Sequence, residues 1–190
     1  KYRSCVNTHC TKQNILPSLS AAINDNEGQR AIWLTCIGIS SLFRAVIFPL
    51  KATLLTKQLI KVNSSYEIIM FVLFIMEFAE IFFLNLMSFI SSSFSYEAHR
   101  NSLAAFVFFS FITMFLYTHL ITVLEYSFPV KSSRHLQQLL FAYTLTLFIV
   151  GISYYFHTVH CPPYAYSVFA FFEYIAICIN VAHNYSSAHR

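Results

Sequence analysis

Five long apolar runs separated by short polar breaks organise this chain. The first extends from Ala31 to about Ala52, is interrupted by Arg44 and closes on Pro49-Leu50-Lys51. The others cover residues 66–90, 102–124, 136–156 and 164–183. Each holds roughly 20–25 residues, enough at about 1.5 Å per residue to cross roughly 30 Å of hydrocarbon. They are continuous and lack the polar/apolar alternation of a membrane strand, so a barrel is a poor reading. The pattern predicts an all-α fold: a polytopic transmembrane helix bundle forming one domain over residues 1–190, with five spans.

The breaks set the orientation. Residues 1–30 are polar and irregular, and read as a segment outside the membrane. Lys57, Lys61, Lys131 and Arg134 occupy alternate short loops on one side, with Lys51 near a helix end and Arg190 at the C-terminus. The opposite short loops hold only Arg100. The excess of Lys and Arg places that side, and the C-terminus, in the cytosol. Residues 1–30, 91–101 and 157–163 then face a lumen or the exterior. Two sequons, at Asn63 and Asn184, fall on the cytosolic side and are expected to stay unglycosylated. The chain opens on Lys1 with no signal-like segment, and five spans with an outside start fit a missing first helix, six in all.

Composition agrees: 57% of residues are hydrophobic and 11% charged, too little polar surface for a soluble domain of 190 residues. Its 21 Phe and 12 Tyr suit lipid contact and interfacial anchoring. A net charge of +4 without a basic run argues against nucleic-acid binding.

Ionisable side chains inside the runs are the sharpest chemical signal, because each costs several kcal/mol in a bilayer unless paired or hydrated. Arg44 lies roughly 20 Å along its helix, and Glu77 falls at a similar depth on the antiparallel second span. Glu80 shares the Glu77 face. The fifth span adds Glu173, with Asn180 nearly on the same face, and His183. Two readings fit: a structural ion pair holding the bundle, or a polar cavity for a charged or sugar-bearing lipid headgroup. The second makes Arg44, Glu77, Glu80, Glu173 and Asn180 the headgroup-binding set, with the Arg44 guanidinium on the lipid phosphate. The Phe-rich faces (Phe71, Phe74, Phe78 and Phe82; Phe106, Phe108, Phe109 and Phe111) read as lipid-facing or packing surface, and are compatible with an acyl-chain groove. His119 reads as packed or interfacial.

A second, weaker cluster lies at the predicted luminal face: His99, His157 and His160, with Cys161 and the N-terminal Cys5, His9 and Cys10. Its His-x-x-His-Cys spacing matches no zinc signature, so no metal site and no cofactor is assigned. One disulfide among Cys5, Cys10 and Cys161 is favoured, since all three face an oxidising lumen. A histidine base acting on a lipid ester has no nucleophile motif beside it.

The stretch Leu16–Ile23 (LPSLSAAI), then Gln29-Arg30, Trp33 and Cys36-Ile37-Gly38 with Arg44, resembles the opening of the Frag–DRAM–Sfk membrane family. The region from His160-Cys161 through Phe169–Ser186 (FAFFEYIAICINVAHNYS) is similar to that family's last span, and the acidic position at Glu77 also matches. The resemblance implies a six-helix protein of the Golgi and endoplasmic reticulum membranes, with a long luminal segment after the first helix. It implies fatty-acid remodelling of GPI anchors, at the step that restores a saturated chain to the lyso-lipid, with GPI lipid or GPI-anchored proteins as partners. Whether such proteins transfer the acyl group themselves or assist another enzyme is left open by these motifs, and no His-x-x-x-x-Asp acyltransferase signature occurs. The rival classes are a non-catalytic regulator, like the family's autophagy-linked branch or a trafficking factor, and a small proton-coupled transporter.

Overall fold

A computed structural model describes residues 10, 13–24, 27–128 and 133–188. Six helices carry most of them: α1 (Leu19–Asn24), α2 (Glu27–Leu59), α3 (Tyr66–Phe89), α4 (Tyr96–Ser127), α5 (Arg134–Val159) and α6 (Ala165–Ala188). No strand occurs among the described residues. The all-α membrane architecture read from the apolar runs is the architecture found.

The helices overrun the apolar runs because capping and polar ends extend them. α2 passes through Pro49 and continues to Leu59. Proline forfeits one backbone hydrogen bond, which membrane helices tolerate when local groups compensate. The carbonyl that loses its donor is that of Ala45; separately, the Thr53 hydroxyl donates to the Pro49 carbonyl at 2.9 Å, and that of Thr56 to the Ala52 carbonyl at 2.6 Å. α4 begins at Tyr96 because Ser95 caps it, accepting from the Ala98 N–H, and Glu97 sits favourably in the first turn.

Packing groups the chain into two compact units, one from the described parts of residues 1–31 and 141–189, the other from Ile32–Leu140. In the Ile32–Leu140 unit, α3 and α4 pack closely as an antiparallel pair. Leu59 of α2, Met70 and Leu73 of α3, Tyr117, Leu120, Ile121 and Leu124 of α4, and Leu136 form its core. In the other unit α1 packs on α6, and a strap from Gln13 to Ser18 is fastened to the start of α6.

The outer faces carry the membrane signature. On α2 the residues Ile32, Ile39, Leu42, Phe43, Val46, Leu50 and Leu54 are all more than half exposed. Ile32 to Leu54 covers about 33 Å of helix, close to a hydrocarbon thickness of roughly 30 Å. On α3 the exposed apolar residues extend from Ile68 to Phe89, about 32 Å. The middle of each belt falls within a residue or two of Arg44 and of the Glu77–Glu80 pair. Among the described residues, four helices are long and apolar enough to cross a membrane by length and composition: α2, α4, α5 and α6. The fifth expected span is α3, which is not among these four although its exposed apolar belt has the same length.

Candidate functional site

The inner face of α2 is a stripe at helical spacing, Trp33, Ser41, Arg44, Phe48, Ala52, Leu55 and Leu59, each less exposed than its outer neighbours. Midway along it Arg44 reaches α3. Its Nε and Nη2 donate to Glu77 Oε1 at 3.0 and 2.7 Å. Nη2 also lies 2.9 Å from Glu80 Oε1. Glu77 and Glu80 are buried, whereas the Arg44 side chain keeps 16% exposure. Helix spacing explains the convergence: two acids three residues apart project on one side, and one guanidinium spans both. Lys51 lies seven residues beyond Arg44 on the same face.

Not all of the guanidinium is used. Nη1 has no hydrogen-bond partner among the described residues, so two N–H donors of Arg44 remain available. Toward the N-terminal end of α2 the contact with α3 stays polar: Asn85 Nδ2 donates to Ser41 Oγ at 2.8 Å, and Trp33 Nε1 to Ser88 Oγ at 3.3 Å. Sequence reading missed Trp33, Ser41, Asn85 and Ser88 as one ladder. Their antiparallel register, with residue numbers rising on one helix as they fall on the other, is the signal that would have found it.

Glu173 and Asn180 belong to the other unit and have partners there. Glu173 Oε2 accepts the Leu19 N–H at 3.1 Å, which ties the start of α1 to α6. Asn180 Oδ1 accepts from Asn184 Nδ2 at 3.1 Å. Ser167 Oγ accepts from the N–H groups of Ile15 and Leu16, and Tyr166 Oη accepts from the Ser18 N–H while donating to Ser18 Oγ. Tyr174 Oη donates to the Pro17 carbonyl. The segment LPSLS is thus held by α6 side chains from two levels about two turns apart. Tyr166→Phe strands the buried Ser18 N–H, a loss of about 1–3 kcal/mol. Faster amide exchange in residues 13–24 of that variant is the expected readout.

A disulfide joins Cys10 to Cys161, which sits with φ 50° in the tight α5–α6 connection. Cys5 lies outside the described residues, whereas Cys36 and Cys178 are free and exposed. The three histidines expected at the luminal face have separate settings. His157 is buried, its ring 5.1 Å from that of Tyr166 and its Nδ1 3.8 Å from Cys10 Sγ. His160 is exposed and rests near the rings of Tyr155 and Phe156. His99 Nδ1 contacts the Met87 and Ile90 carbonyls at 3.0 and 2.7 Å, closing the C-terminal end of α3. No group of three His, Cys, Asp or Glu side chains suited to a metal occurs among the described residues. The Phe faces divide: Phe71, Phe82 and Phe108 are more than half exposed, while Phe83 and Phe109 stack at 5.4 Å between α3 and α4.

Comparison with known proteins follows the same outline. A family model described as Frag1/DRAM/Sfk1/Cwh43P N-terminal domain matches residues 1–188. Over 179 residues the chain is 35% identical to "Acyltransferase PGAP2" of Xenopus tropicalis, covering 92% of this chain and 70% of that protein. It is 29% identical over 185 residues to "Post-GPI attachment to proteins factor 2" of Drosophila pseudoobscura pseudoobscura, covering 95% and 71%. The protein of the same name in Caenorhabditis elegans is 27% identical over 187 residues, again covering 95% and 71%. No solved structure matches the chain.

Proposed function

This chain belongs to the Frag1/DRAM/Sfk1/Cwh43P N-terminal domain family, and on that premise we propose that it serves in the remodelling of GPI-anchor lipids. The observation that carries the reading is the 35% identity, over most of both chains, to a relative whose name joins acyl transfer to this group of proteins. The step it supports is the return of a saturated acyl chain to lyso-GPI. The compartment is the Golgi or endoplasmic reticulum membrane, with the C-terminus in the cytosol. Two features support that orientation: the Lys and Arg loops on one side, and on the other a Cys10–Cys161 disulfide, which forms in an oxidising lumen.

Within this reading Arg44, Glu77 and Glu80 form the headgroup site. Arg44 Nη1 offers the free donors, and the two carboxylates hold the guanidinium in place, so its orientation is set before a ligand arrives. Glu173 is a positioning residue that anchors the luminal strap through Leu19.

The experiment is anchor lipid analysis by mass spectrometry in cells lacking the protein. GPI-anchored proteins are expected to lose the saturated remodelled chain, and re-expression is expected to restore it. An unchanged anchor composition overturns the reading. Purified protein supplied with lyso-GPI and an acyl donor then tests for direct transfer.

A further inference from the structure

The contacts between α2 and its partners change character at Arg44. On the side of the α2 N-terminus they are polar: Trp33 with Ser88, Ser41 with Asn85, then Arg44 with Glu80 and Glu77. Beyond Arg44 the packing, Lys51 apart, is apolar. Phe48 meets Phe74 with ring centroids 6.2 Å apart, and Ala52, Leu55 and Leu59 pack with Met70, Leu73, Leu120, Leu124 and Leu136. Leu59, Leu73, Leu120 and Leu136 are fully buried.

α4 repeats the asymmetry. Its buried face carries Ser102, Ser110 and Thr113, with Phe106, from the start to just past mid-helix, and, after Thr118, the apolar Leu120, Ile121 and Leu124. The Phe83–Phe109 stack sets an antiparallel register that brings Ser110 and Thr113 to the level of Glu80 and Glu77. Thr113 Oγ1 is buried and has no hydrogen-bond partner among the described residues, although a helical threonine ordinarily bonds back to its own preceding turn. An unsatisfied buried hydroxyl is destabilising, and stranding the charged N–H donors of Arg44 in hydrocarbon is more so. Hydrophobic burial alone gives no reason for three helices to turn polar on the same half of the membrane. A hydrated ligand site does.

We propose that α2, α3 and α4 enclose a one-sided polar cleft that admits water and an oxygen-rich lipid headgroup from the luminal side as far as Arg44, and is sealed by the leucine core beyond. The headgroup brings hydrogen-bond acceptors to Arg44 Nη1, and the sealed half prevents the cleft from becoming a pore. This deepens the reading of Arg44 as the headgroup site, and its test reads thiol chemistry in vesicles, not anchor lipids in cells, so the two can fail separately.

The test uses the full chain with Cys5, Cys36 and Cys178 replaced by alanine and the Cys10–Cys161 disulfide kept. Single cysteines are placed by Ser88→Cys, Ser41→Cys and Ala52→Cys, the first two nearly isosteric. A charged, membrane-impermeant thiosulfonate is applied to each face of sealed vesicles. Because a thiol in apolar surroundings resists forming the reactive thiolate, S88C and S41C are expected to react from the luminal face at least about tenfold faster than A52C. Lysophosphatidylinositol in the luminal solution is expected to slow S41C severalfold. Equal rates at all three positions, reaction from the cytosolic face, or no slowing by the lysolipid would each overturn the cleft.

Discussion

Replacing Arg44 by leucine is expected to cause the largest single loss in this protein. Glu77 and Glu80 would remain 6% and 1% exposed, facing each other in the middle of the bilayer with no guanidinium between them. Removing one partner of a buried ion cluster typically costs about 3–5 kcal/mol, because the remaining charge is uncompensated. Low protein abundance and lost anchor remodelling are expected together, so abundance must be separated from activity. Replacing Arg44, Glu77 and Glu80 jointly by methionine or leucine removes the uncompensated charge, and such swaps are often neutral or stabilising. The triple variant is therefore expected to recover a normal level and melting temperature in detergent while anchors stay unremodelled. Restored remodelling in it would reduce the cluster to a structural tie. Arg44→Lys keeps the charge but loses the fork that spans both acids, so partial activity is its expected phenotype.

The second large effect is expected from Cys10→Ser. The disulfide it breaks closes a sequence separation of 151 residues and secures the strap that reaches α6 through Ser18, Leu19 and their neighbours. Loss of such a crosslink typically costs about 2–4 kcal/mol. Cys161→Ser should match it, and the double variant should be no worse than either single, because one interaction is removed in all three. Amide exchange and protease cutting in residues 13–24 are expected to rise in step. Alkylation of Cys10 or Cys161 in unreduced protein would show that the bond is not made.

Both effects trace to features that differ in how far the chain alone reveals them. Arg44, Glu77 and Glu80 stand out in the sequence because charges inside apolar runs are rare, and counting residues from the helix ends gives their common depth. Their pairing still required the helix faces to be known. Depth says nothing about azimuth, and Glu173, at a comparable level of sequence prominence, instead accepts a bond from the strap. Ser41, Ser88 and Asn85 carry no such signal. Serine is common in membrane helices, and only the antiparallel contact of α2 with α3 turns these residues into a ladder. The α2 boundary escaped for a different reason: Pro49 and Lys51 are ordinary stop signals, and the helix runs through them to Leu59.

The sequence by itself determined that the chain is a membrane bundle of long helices, where the polar breaks fall and which residues bring charge into the apolar interior. These follow from period, length and composition, which are local quantities. Tertiary structure alone decided that Arg44 grips both acids through Nε and Nη2 and leaves Nη1 without a partner among the described residues, that Glu173 holds the strap, and that Cys10 pairs with Cys161. Those outcomes depend on which helix faces meet, and at what register. Hydrophobicity sets how deep a residue lies in a bilayer, but the direction it points within that plane comes from packing between segments far apart in the chain.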